Sequence, residues 1–179
     1  MLETFAIALL IAQGQMLDRI SVIAGTHAIK ASDIERDIRV TAFLNNQQPD
    51  FGAESRKQAA SRLIDQALIR DQVRTGDFPM ASIAEANHLL EQTRQERLGN
   101  ASADAFQTVL HQYGITENEL RDRLLWQLTV LRFIDARFRP AVDENDPKPA
   151  AEQIDKLMNA WLDEQRKNTR IVYVEKSLQ

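Results

Sequence analysis

Apolar and polar residues alternate in two patterns along this chain: strand-like at the two ends and helix-like between them. Leu17-Asp18-Arg19-Ile20-Ser21-Val22-Ile23-Ala24-Gly25-Thr26-His27-Ala28-Ile29 reads as a strand, a glycine-containing turn and a second strand entering a helix. The only other β-rich run is Arg170-Ile171-Val172-Tyr173-Val174-Glu175. An isolated hairpin is marginal in water, so a third strand arriving from the far end completes a minimal sheet. The last strand is expected beside Leu17–Ala24, and removal of Arg170–Gln179 is expected to unfold the base of the molecule.

Between the ends the period changes to that of helices, and the caps divide it. Ser32 with Glu35 reads as a capping box, opening a helix that turns Ile34, Ile38 and Val40 or Ala42 inward. A second helix is predicted over Glu54–Thr75, with Ala59, Leu63, Ala67, Leu68 and Val73 on one face and Gly76 as its stop. Ser82 with Glu85 starts a third that ends at Gly99-Asn100, and Ser102 starts a short fourth ending at Gly114. Thr116 with Glu119 opens the longest, on which Leu120, Leu124, Leu128, Leu131 and Phe138 trace an apolar stripe to Pro140. Pro140–Pro149 reads as a linker, and a final helix over Ala150–Asn168 buries Ile154, Leu157, Met158, Trp161 and Leu162. The fold class is α+β and predominantly helical: about six helices, with a small sheet formed by the N-terminal hairpin and the C-terminal strand.

The first residues bear on compartment. Thr4–Ala12 is an uncharged apolar run, too short to span a bilayer but of the length of a signal-peptide core. Ala12 and Gly14 stand two apart, as small residues do before a cleavage site, so residues 1–14 are read as a signal segment and Gln15 as the new terminus. This points to a periplasmic location. The front end carries Glu3 and no basic residue, and the competing reading is an apolar helix docked on the core, which leaves the protein in the cytoplasm.

Composition removes several function classes. The net charge of −4 argues against a general nucleic-acid binder. Arginines recur on two helices, including Arg62, Arg70, Arg123 and Arg132, but acids such as Asp65, Asp71, Asp122 and Asp135 are mixed among them, as on solvated faces. There is no cysteine, hence no thiolate chemistry and no disulfide. His27, His88 and His111 fall in no metal-ligand spacing, and the clustered carboxylates lie at helix starts, in the linker or on polar faces. No nucleophile elbow, phosphate loop or dinucleotide fingerprint occurs. No cofactor or metal is therefore expected.

The order of these segments resembles a known family. The run Leu17–Val40, the helical Arg62-Leu63-Ile64-Asp65-Gln66-Ala67-Leu68-Ile69, and Phe106–Leu131 with Tyr113-Gly114-Ile115-Thr116 between helices are similar to the N-terminal chaperone region of SurA-type periplasmic proteins. Trp161-Leu162 with Ile171-Val172-Tyr173-Val174-Glu175 resembles the helix and strand that fold back on that region. The resemblance places a helical chaperone domain over residues 15–139, completed by residues 150–179, and implies unfolded outer-membrane or secreted polypeptides as partners. SurA-type proteins commonly carry parvulin-type prolyl isomerase domains before the returning helix. Here only residues 140–149 stand at that point, and an independent domain needs at least about 50 residues. Isomerase activity is not expected.

A holdase needs an exposed apolar surface rimmed with polar groups. The candidate peptide-binding residues are Phe43, Phe51, Phe78, Met80, Phe106 and Tyr113, several of them in loops or at helix ends, whereas Trp126 and Trp161 are read as core anchors. The alternative from another class is a non-catalytic assembly or scaffold subunit whose apolar surface binds one fixed partner or, weakly, a second copy.

Overall fold

The computed structural model describes residues 18–99, 102–143, 146 and 148–179. The candidate signal segment, residues 1–14, lies outside the described residues. Strands β1 (Ile20–Ala24) and β2 (His27–Lys30) lead into helices α1 (Ala31–Leu44), α2 (Ala53–Thr75), α3 (Ile83–Leu98), α4 (Ala103–Tyr113) and α5 (Glu117–Phe138). After a short 3₁₀ turn at Arg139–Ala141 come α6 (Ala150–Asn168), strand β3 (Ile171–Tyr173) and a 3₁₀ turn at Lys176–Leu178. The protein is predominantly helical α+β, as its sequence pattern predicts.

The sheet is antiparallel in the order β2-β1-β3, with Ala24 opposite His27 on one side and Ile23 opposite Val172 on the other. Gly25 makes the hairpin possible: it takes φ +60° at the first turn position while Thr26 keeps a negative φ, the arrangement of a type II′ turn. A register shift between Ile20 and Val22 leaves Ser21 as a bulge, and its carbonyl accepts from both Val174 and Glu175 N–H at 3.0 Å. The Ser21 hydroxyl and Arg56 of α2 then donate to the Glu175 carboxylate, at 3.1 Å in each case. Burial disfavours the Glu175 anion, but hydrogen bonds from Ser177, Ser21 and Arg56 outweigh it and hold its pKa below the ordinary value. The tail is thus tied to β1 and α2 at one carboxylate.

Helix starts follow local chemistry where the cap is self-contained. The Ser82 and Thr116 hydroxyls accept from Glu85 and Glu119 N–H, while those glutamates accept from the cap N–H groups at 2.9 and 2.8 Å. Helix α1 differs from expectation. It begins two residues early, with Lys30 as the cap and the Asp33 carboxylate accepting from Lys30 N–H at 2.9 Å. Ser32 lies inside the helix, where Asp18 accepts both its N–H and its hydroxyl.

Three apolar clusters hold the elements together. Val22, Ala24 and Ile29 of the sheet pack with Ile34 and Ile38 of α1, Ile64 of α2 and Leu178 of the tail. Phe43 of α1 packs with Phe106 and Leu110 of α4, Leu90 of α3 and Leu120 of α5. Ile69 and Val73 at the far end of α2 meet Phe133 and Phe138 of α5 and Trp161 of α6. Each large side chain buried in this way contributes about 1.5–3 kcal/mol. Helix α2 therefore runs from the first cluster to the third and is the spine of the molecule.

Candidate functional site

Helices α2 and α5 face one another across a cleft, because each finds its main partner elsewhere. Helix α2 packs on α1, α5 packs on α3, and α6 touches both from one side. The cleft has two chambers of about 470 and 440 Å³. On α2, Arg62, Gln66, Ile69 and Arg70 recur at helical spacing along its wall. On α5, Arg123, Trp126, Gln127, Val130 and Leu131 do the same. Gln66, Arg123 and Trp126 line both chambers, so they form the partition.

The first chamber is polar and lies toward β2 and α1. Its floor is Asp37, whose side chain is only 2% exposed. Arg62 donates to it through Nε at 2.9 Å and Nη2 at 2.6 Å, and Arg123 through Nη1 at 2.6 Å. One buried anion thus serves two guanidinium groups from different helices and ties α1, α2 and α5 together. At the outer end Arg36 bridges Asp33 and Glu119, at 3.2 and 2.8 Å. Burial disfavours the Glu119 anion, yet bonds from Thr116 and Arg36 keep its pKa low. His27 bonds Asp71 at 3.0 Å, and this contact is the chief cause of the low Asp71 pKa.

The second chamber is apolar, walled by Ile69, Leu89, Trp126, Leu128, Val130 and Leu131. Leu131 is 59% exposed, and Arg62, Asp65, Gln66 and Gln127 rim the opening. Asp65 is occupied by Arg166 of α6 at 2.7 Å. The indole of Trp126 is covered on its face by the Arg70 guanidinium, 4.7 Å from the ring centre.

The residues expected to bind peptide do not gather here. Phe43 and Phe106 are corrections: both are buried, their rings 6.3 Å apart edge to face, and Tyr113 adds a second edge contact to Phe43 at 5.4 Å. The end of α1 is roofed by α4, which turns a helix-end aromatic into core. Phe78 is half-buried with its ring 4.9 Å from Phe133. Phe51 and Met80 are exposed, Phe51 beneath the Arg39 guanidinium at 5.4 Å. Trp161 is a core anchor, but Trp126, read the same way, is a half-buried cleft wall. Leu131, expected in the buried stripe, is instead open to the cleft, with Phe133 taking the core position.

A usable signal for the cleft was present. From Leu124 to Ile134 helix α5 is apolar nearly all round, more than one packed face needs. Among the described residues no three of His, Cys, Asp and Glu converge as a metal site, and no described helix is long and apolar enough to cross a membrane. Neither a protein-family model nor a curated protein matches the chain.

Proposed function

We propose that this protein is an ATP-independent extracytoplasmic holdase of the SurA type, binding apolar segments of unfolded outer-membrane or secreted polypeptides without isomerase activity. The observation that carries the reading is the apolar chamber between α2, α3 and α5: open, about 440 Å³, and rimmed by arginine, aspartate and glutamine. Such a surface gains by desolvating a client's side chains, while its polar rim limits collapse onto other copies. Only residues 139–149 separate α5 from α6, which supports a chaperone core without an inserted enzyme.

The test is suppression of aggregation of a denatured β-barrel protein by the full chain, compared with Leu131→Asp. Leu131 is exposed, so its replacement should change folding stability by no more than about 0.5 kcal/mol. Suppression at a few-fold molar excess, lost in the variant, is the expected outcome. Aggregation unaffected by the wild-type chain would remove the proposal. The fixed Asp37 network favours a second reading, since a rigid cleft also suits one folded partner. Competition by unrelated unfolded peptides separates the two, because a dedicated interface ignores them.

A further inference from the structure

The sheet has two apolar faces, and α1 and α2 cover one of them. Val22 pairs with Ile29 and Tyr173, and Ala24 with Ile171, and these side chains meet both helices in the first cluster. Successive strand residues point to opposite faces, so Ile23 and its partners Ala28 and Val172 turn the other way. Val174 takes the next outward position on the same side. The bulge at Ser21 sets Ile20 opposite Lys30, which brings Ile20 to that side too. None of these apolar residues belongs to the three clusters, and Ile20 and Val174 are exposed. An antiparallel sheet with one solvated face normally carries polar residues there. This one carries aliphatic residues instead.

The chain enters the sheet at the rim of this outer face. Asp18 accepts from Ser32 N–H at 3.2 Å and lies 3.8 Å from the ammonium of Lys30. Before it stand the uncharged Thr4–Ala12 and the connecting Gln13-Gly14-Gln15-Met16-Leu17. That connection spans up to about 17 Å when extended, whereas three strands are only about 10 Å wide. Coiled as a helix, Thr4–Ala12 measures about 14 Å by 10 Å, which fits a face whose central strand is roughly 17 Å long. A tethered segment also acts at an effective concentration near the millimolar range, an advantage that a second copy lacks. We propose that Thr4–Ala12 packs on the outer face of the sheet, against Ile23, Val172 and Val174, in every chain that retains it. Cleavage after Gly14 would then bare that face. The inference stands apart from the reading of the cleft.

The sequence has no cysteine, so a single introduced thiol reports its own surroundings. Val172→Cys is made in the full chain, with and without the paired changes Leu9→Asp and Leu10→Asp, and its alkylation by a maleimide is timed by mass spectrometry. The same spectra verify that the N-terminus is intact. Charging the segment should raise the rate at Val172→Cys about tenfold, because the docked segment must otherwise lift away before the thiol reacts. Val174→Cys, at a more exposed position, serves as a second reporter and should respond in the same direction. Leu131→Cys, open to the cleft, should react at one rate in both backgrounds. Circular dichroism checks that each variant keeps its helices. An unchanged rate at both sheet positions overturns the inference, since the face is then bare in the full chain. A rise at Leu131→Cys as large as that on the sheet also overturns it, because the segment then supports the whole molecule and not this face. Protection that grows with protein concentration assigns the face to a second copy and overturns it as well.

Discussion

Asp37 is the only carboxylate among the described residues that is buried. It sits on the inward face of α1 between Ile34 and Ile38, where an aliphatic residue would be expected, and its partners lie on two other helices. Taking a carboxylate out of water costs several kcal/mol, which three charge-assisted hydrogen bonds offset here. Removing the charge leaves Arg62 and Arg123 facing one another across a neutral amide. Asp37→Asn is therefore expected to lower the unfolding free energy by about 3 kcal/mol, read from urea denaturation. A loss under about 1 kcal/mol would mean that water already screens the two arginines. The acid itself was visible in the sequence as a break in an apolar face. Its partners were not, because Arg62 and Arg123 are indistinguishable by sequence from the solvated arginines around them.

At the scale of elements, legibility followed locality. The caps at Ser82, Ser102 and Thr116 stand where the sequence places them, since donor and acceptor lie three residues apart. The start of α1 was misread because Asp18, fourteen residues away, takes the Ser32 hydroxyl and leaves Asp33 to receive the Lys30 N–H. Helix α5 was misread for a different reason. It meets α3 along one face, α6 near its end and the cleft along a third, so no single stripe describes it. The stop at Gly76 was correctly placed, but its need is steric. Its φ is −103°, open to any residue, whereas an added Cβ would stand 2.5 Å from the Phe78 ring. That ring packs edge-on against Phe133, which is fully buried. Gly76→Ala should cost about 1–3 kcal/mol through displacement of Phe78, measured by urea denaturation, and Phe78→Leu in the same chain should recover part of the loss. Equal stability of Gly76→Ala and the wild type would show that the loop yields freely.

For the whole molecule, the decisive contact is the return of the tail. Val172 pairs with Ile23, Leu178 is buried in the first cluster, and Glu175 gathers Ser21 and Arg56. Removal of residues 170–179 leaves a two-stranded hairpin and opens that cluster to water. The truncated chain should lose about 4 kcal/mol or more of unfolding free energy, with proteolysis beginning around β1 and β2. Stability within about 1 kcal/mol of the full chain would place the base of the fold elsewhere. The strand order also has a consequence for synthesis. The central strand of the sheet leaves the ribosome well before residues 171–173, which pair with one of its two edges. Until those residues emerge the nascent protein carries an open ladder, the feature most prone to pairing with a neighbour. A protein proposed to shelter unfolded chains thus passes through such a state itself while the stretch from β1 to β3 is made.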